Sequence, residues 1–138
     1  LRDKKSKKKS ILLEIAPDLS TDQLDQILEI VQEVKLDGLI ATNTTLSRDG
    51  LISKDKDEKG GLSGKPLSGL STEIIHYIYK KTDGKLPIIG VGGVFNAKDA
   101  QKKLDAGASL VQVYTGFAYE GPAMVRRINK GLLNHIRE

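Results

Sequence analysis

The sequence predicts an α/β fold: about four β/α units of a parallel sheet, either half of a (β/α)8 barrel or a complete small doubly wound domain, with a start that suits the half barrel better. Short apolar runs alternate four times with stretches of helical periodicity, an order that calls for parallel strands joined by right-handed crossovers. The chain has 138 residues, enough for a core but short of the roughly 250 of a closed barrel. A glycine pair directly follows the third apolar run, at the strand end where such sheets bind ligands.

The first unit opens with a mostly apolar run at 11–16, read as a buried strand in which Leu13 and Glu14 face opposite ways. Ser20 and Gln23 have capping-box spacing, and Leu24, Ile27, Leu28, Val31 and Val34 form a helical stripe that Asp37-Gly38 should end. The second unit is a strand at 39–41 running into Thr42-Asn43-Thr44-Thr45. A long charged stretch at 46–60 reads as a mobile surface loop. Helix resumes after Leu70, capped by Ser71 or Thr72, with Ile74, Ile75, Ile78 and Tyr79 inward.

The third strand, at 86–91, is introduced by Pro87 and followed by Gly92-Gly93. Asn96 should cap the next helix, with Asp99 in its first turn; Ala100, Leu104 and Ala106 should face inward and Gly107 should end it. The fourth strand, at 110–113, leads into Tyr114-Thr115-Gly116. Gly121-Pro122 suits the entry to a last helix, whose stripe is Val125, Ile128, Leu132 and Ile136, with Lys130, His135 and Arg137 favourable at its C-terminal half.

Composition bounds the rest. Hydrophobic residues make up 38% and charged residues 29%, an ordinary globular balance, and with no Trp and 4% aromatics the core must be aliphatic. The net charge of +4 is concentrated at 4–9, all lysine but for Ser6. Residues 1–10 therefore read as a charged loop or linker, able at most to touch phosphate or an anionic membrane. The remainder is close to neutral and gives no basic face for nucleic acid. The absence of Cys excludes disulfides and thiolate chemistry. No apolar run approaches the roughly 20 residues that span a bilayer. The chain opens with Leu1 and a charged stretch, with neither Met nor signal peptide, which reads as a fragment, a processed product or a chain whose beginning lies elsewhere.

Three segments fall at strand ends: Thr42-Asn43-Thr44, Gly90-Val91-Gly92-Gly93 and Tyr114-Thr115-Gly116. Glycines bring backbone N–H groups close to an anion, and two adjacent strand loops would form one phosphate nest. Phe95 stands where a dinucleotide fingerprint would need Gly. Asn43 and its threonines either read a planar polar ligand or satisfy their own backbone. The run from Gly60-Gly61 to Lys65-Pro66-Leu67 is either a lid or phosphate-like loop, or merely flexible. His76 and His135 have no ligand spacing and no metal is expected. Glu14 either points into a site or faces a cation; Asp18 is a turn former or a polar ligand.

Five segments carry a resemblance. Ile15-Ala16-Pro17-Asp18-Leu19, Thr42-Asn43-Thr44-Thr45, Gly60-Gly61-Leu62-Ser63-Gly64-Lys65-Pro66-Leu67, Pro87-Ile88-Ile89-Gly90-Val91-Gly92-Gly93-Val94 and Ala106-Gly107-Ala108-Ser109-Leu110-Val111-Gln112-Val113-Tyr114-Thr115 resemble, in order and spacing, the C-terminal barrel half of class 2 (quinone-dependent, membrane-associated) dihydroorotate dehydrogenases. The resemblance extends over nearly all of the chain after Ser10, making 11–138 half of an FMN-binding (β/α)8 barrel. It implies oxidation of dihydroorotate to orotate in pyrimidine biosynthesis, with electrons passing from FMN to a quinone. It implies Thr42, Gly64 and Leu67 at the flavin, and Asn43 with Thr44 at orotate. Val91, Gly92, Gly93, Val113, Tyr114 and Thr115 would meet the ribityl phosphate, and Tyr114, Phe117, Ala118 and Pro122 a quinone tunnel. It further implies an N-terminal half as partner, membrane contact through that half, and a peripheral place on the mitochondrial inner membrane in a eukaryote or on the cytoplasmic membrane in a bacterium.

One position departs. The resemblance implies a lysine before Ile15-Ala16-Pro17-Asp18, and Glu14 stands there. The serine base and further substrate-binding asparagines would belong to an earlier part of the barrel, so no catalytic residue is assigned in this segment and the chain alone is expected to be inactive. The alternatives are another phosphate-binding barrel enzyme and a non-catalytic truncated product.

Overall fold

The structure, a computed structural model, describes residues 9–135. The lysine run at 4–8, Ile136 and Arg137 lie outside the described residues, as does the side chain of His135. Four parallel strands, β1 (Leu12–Ile15), β2 (Gly38–Ala41), β3 (Ile88–Val91) and β4 (Leu110–Gln112), lie in the order β1-β2-β3-β4. Between them run α1 (Thr21–Glu33), a 3-10 turn (Lys65–Leu67) continuous with α2 (Ser68–Lys81), and α3 (Ala97–Asp105). The chain ends in α4 (Thr115–Glu120) and α5 (Ala123–His135).

Register divides the sheet into two faces. Leu13, Leu39 and Ile88 align, as do Ile15, Ala41, Gly90 and Val111. These rows meet the helices, and Leu39, Ala41 and Ile88 are fully buried. The alternate row of Glu14, Ile40, Ile89 and Leu110 lies on the opposite face. None of its members is buried; Glu14 is exposed and Leu110 is 63% exposed. The outer face thus packs against helices while, among the described residues, the inner face and both sheet edges stay open.

The main core joins Leu24, Leu28 and Val31 of α1 to Ile74, Ile75 and Ile78 of α2 and the buried sheet row. A smaller cluster of Val94, Ala100, Met124 and Ile128 seats α5. Asp25 clamps α1 to α2, accepting from the Tyr77 hydroxyl at 2.6 Å and Lys81 Nζ at 2.7 Å.

The four β/α units stand where expected; β1, β3 and β4 are shorter than expected by one or two residues, and β2 is longer by one. The Ser20–Gln23 capping box forms, and Asn96 accepts from the Asp99 N–H at the start of α3. Other details are corrected. Helix α1 ends before Asp37-Gly38: Lys35 takes the left-handed turn (φ 55°), and the Leu36 N–H bonds Val31 O in a Schellman closure. Gly38 instead belongs to β2, where an added Cβ would meet Pro87 O at 2.6 Å. Val34 leaves the stripe, 57% exposed. Helix α2 starts at Ser68, so Ser71 and Thr72 lie inside it rather than cap it; Tyr79 is exposed and Tyr77 packs on the core in its place. In α3, Leu104 is half-buried, and the fully buried neighbour is Lys103. The short α4 went unforeseen, and Met124 rather than Val125 fills the inner side of α5.

Candidate functional site

The C-terminal ends of all four strands converge on one cavity of about 430 Å³. Glu14 enters from β1; Thr42, Asn43 and Thr44 follow β2; Val91, Gly92, Gly93 and Val94 come from β3 and its loop; Gln112, Val113, Tyr114, Thr115 and Gly116 close the far side. Ser63, Gly64 and Leu67 complete the lining from the loop before α2. Every residue expected at the flavin, the phosphate or orotate therefore lines this one space, as does Glu14. Phe117 and Ala118 on α4 and Pro122 after it lie outside it; of the four tunnel candidates only Tyr114 borders the cavity. His76 sits exposed on α2 and does not line the cavity.

Local geometry explains why these loops stay together. The Thr42 N–H bonds Val91 O at 3.0 Å and the Asn43 N–H bonds Ile15 O at 2.8 Å, so the segment after β2 is stitched to both neighbouring strands. Asp18 is a brace: its carboxylate accepts from the Thr45 hydroxyl and, at 3.0 Å, from the Leu46 N–H. Thr45 pairs with Leu62 across a single antiparallel bridge, and Thr44 lies so close to Gly61 that an added Cβ would collide with its Oγ1. Thr115 donates to Ser63 at 2.9 Å, tying the loop before α2 to the end of β4.

The polar groups facing the cavity suit a polar, anion-bearing ligand. Asn43 Oδ1 accepts from the Thr44 N–H at 2.7 Å, which fixes the amide and leaves its Nδ2 donors unengaged among the described residues. Thr42 Oγ1 is a buried oxygen with no hydrogen-bond partner among the described residues. Such orphans are costly unless a ligand or water completes them. Gly92 and Gly93 both take positive φ, 118° and 69°, a conformation that exposes consecutive backbone N–H groups and excludes side chains. The Glu14 carboxylate makes no hydrogen bond or ion pair among the described residues.

Three features were not foreseen. Gln112 lines the cavity; a lone amide in an apolar strand was its signal. Arg48 folds back under loop 46–60, its guanidinium donating to the carbonyls of Thr45, Leu46, Ser47, Lys56, Glu58 and Gly60. Lys103 lies buried behind the glycine pair, and helical periodicity alone marked it as one more surface lysine of a charged helix.

The sequence profile of dihydroorotate dehydrogenase matches residues 2–136. The chain belongs to the dihydroorotate dehydrogenase family. Dihydroorotate dehydrogenase (quinone) from Christiangramia forsetii is 59% identical over 131 residues, 95% of this chain and 38% of that protein. The protein of the same name from Trichodesmium erythraeum is 49% identical over 140 residues, 96% of this chain and 37% of its own length. The crystal structure of DHODH in complex with ferulenol from Eimeria tenella superposes with a TM-score of 0.90 at 43% identity, covering 97% of this chain and 36% of that one. The chain thus spans just over a third of the length of the relatives it matches, and its four β/α units are a partial (β/α)8 barrel. The resemblance read from the motifs holds, and membership of this family sets aside the other phosphate-binding barrels. Among the described residues no helix is long and apolar enough to cross a membrane.

Proposed function

We propose that this chain supplies the phosphate-holding part and some of the orotate-holding part of an enzyme that oxidises dihydroorotate to orotate and reduces a quinone. The observation that carries the reading is the orphan Thr42 Oγ1, buried in a cavity that also holds the left-handed Gly92–Gly93 turn. The residues present fit FMN: a hydroxyl awaiting a partner, a backbone nest for a phosphate, and an amide with free donors. FMN, when bound, supplies the acceptor for the two electrons and the hydrogen leaving a C–C bond that becomes C=C.

The chain's own residues bind and orient. Thr42, Gly64 and Leu67 would lie along the flavin. Val91, Gly92, Gly93, Val113, Tyr114 and Thr115 would enclose its ribityl phosphate. Asn43 and Thr44 would hold the planar orotate edge by hydrogen bonds that only a matching donor–acceptor pattern satisfies. Tyr114, Phe117, Ala118 and Pro122 would border the quinone's path. The proton-abstracting base would come from an N-terminal half of the barrel, which would close the open sheet edges and make any membrane contact, mitochondrial or bacterial. Co-expression with such a half tests the reading: flavin released from the purified complex by heat should be FMN. A complex that forms but carries no flavin would overturn it.

Glu14 favours a second reading, a binding-only product. An exposed carboxylate beside the site adds negative charge where the resemblance implies a lysine. The same complex would then bind FMN yet fail to reduce it with dihydroorotate.

A further inference from the structure

Lys103 is fully buried on α3, and no ligand-lining role explains it. Its ammonium spends its donors on three oxygens of α2: Ser68 O at 2.8 Å, Thr72 Oγ1 at 2.7 Å and Ser71 Oγ. Those same residues are what the glycine pair rests on. A Cβ at Gly93 would meet Ser68 Cβ, Cα and N between 2.6 and 2.8 Å, and one at Gly92 would meet Ser71 Oγ at 2.8 Å. Ser71 also reaches Gly92 O at 3.5 Å. A continuous path of hydrogen bonds and direct packing therefore runs from the ammonium, through the first turns of α2, to the cavity wall.

Burying an ammonium costs several kcal/mol in general, and a Met or Leu of similar volume would pack the same space without that cost. The charge is not neutralised at contact distance. The nearby Asp99 carboxylate accepts instead from Lys65 Nζ at 3.3 Å and the Phe95 N–H at 3.1 Å. The cation also sits beside the start of α2, the positive end of the helix dipole. That start has no side-chain cap and no acidic residue in its first turn. Cation, dipole and left-handed glycines all favour negative charge at one place, and they repel one another unless an anion is there.

Resting on the FMN reading above, we propose that Lys103 is a positioning residue for the phosphate cradle: it fixes the turn of α2 under Gly92–Gly93 and puts a buried positive charge behind it. Its effect is confined to ligands bearing the phosphate. The flavin ring, held by other loops, is indifferent to it.

The test is fluorescence titration of FMN and of riboflavin, which lacks the phosphate, into the apo-complex formed with the N-terminal half. The parent should prefer FMN. Lys103→Met should lose about tenfold or more in FMN affinity while riboflavin binding changes less than about twofold. Lys103→Gln, neutral but still able to donate to Ser68 O, covers the case in which Met does not fold and should show the same loss of preference. An unchanged FMN-to-riboflavin ratio in a folded variant would overturn the inference, as would equal losses for both ligands, which would mark Lys103 as packing only. A parent that binds both flavins equally would instead defeat the phosphate site on which the inference rests.

Discussion

Glu14 and Lys103 are two charges with opposite relations to the same cavity. Glu14 shares the open row with Ile40, Ile89 and Leu110 and lines the site without a partner among the described residues. A carboxylate cannot donate a hydrogen bond and raises the cost of added negative charge. Glu14→Lys in the full complex should raise the flavin midpoint potential and speed flavin reduction by dihydroorotate about a hundredfold or more; stopped-flow absorbance reads both, and equal rates would mean the charge is already compensated. For Lys103, burial pushes the ammonium down to about 8, against the opposing Asp99 carboxylate and with a smaller push from Lys102. The other groups facing it, Ser68, Ser71 and Thr72, are neutral. Between about pH 8 and the ordinary lysine value of 10.5 the unfolded chain binds the extra proton, so stability rises with pH through that window. Lys81, whose hydrogen bond to Asp25 raises it, loses its contribution only above that range. Denaturant unfolding of the complex at pH 7.5 and 9.5 should show the rise, and Lys103→Met should abolish it. These residues also mark what the sequence discloses. The glycines, Thr42 and Asn43 were readable because their chemistry is special wherever they stand. Lys103 was not, because only the packing of α2 on α3 turns a lysine of a charged helix into a buried cation.

At the scale of elements, the crossover helices show how a local signal can be present, absent or carried by another residue. All three close with the same pair of hydrogen bonds: Lys35 and Leu36 after α1, Asp83 and Gly84 after α2, Gly107 and Ala108 after α3. Only the third has Gly in the left-handed position, and only there was the stop placed correctly from sequence. Lys35 and Asp83 adopt positive φ because tertiary packing of the next strand outweighs a modest local cost. The loop at 46–60 teaches a related lesson. Its want of apolar anchors leads to the expectation of a mobile loop, and the structure adds an organising group, Arg48, with its six carbonyl acceptors. Charge-assisted hydrogen bonds of this kind hold a segment without any hydrophobic pattern to announce it. Arg48→Ala should speed tryptic cleavage at Lys54, Lys56 and Lys59 about tenfold, as gel-resolved limited proteolysis would show. An unchanged rate would mean that the loop opens independently of the guanidinium.

At the largest scale, two strand edges and an inner face left uncovered among the described residues set the behaviour. Ile11, Leu13 and Leu110 are 49%, 38% and 63% exposed, and the edges of β1 and β4 offer unpaired backbone groups. Purified alone, the chain should associate; light scattering would reveal it, and a monodisperse monomer with cooperative thermal unfolding would contradict it. The direction of the strands gives this association a particular outcome. Pairing β4 of one copy with β1 of another preserves parallel order, and repeating it once around a two-fold axis closes an eight-stranded ring. Such a homodimer would compete with the proposed N-terminal half for the same edges. Self-closure scales with the square of the chain's concentration, whereas union with the other half scales with the product of the two. In a mixture of the two pieces, their ratio would thus decide between a mixed barrel and a closed homodimer.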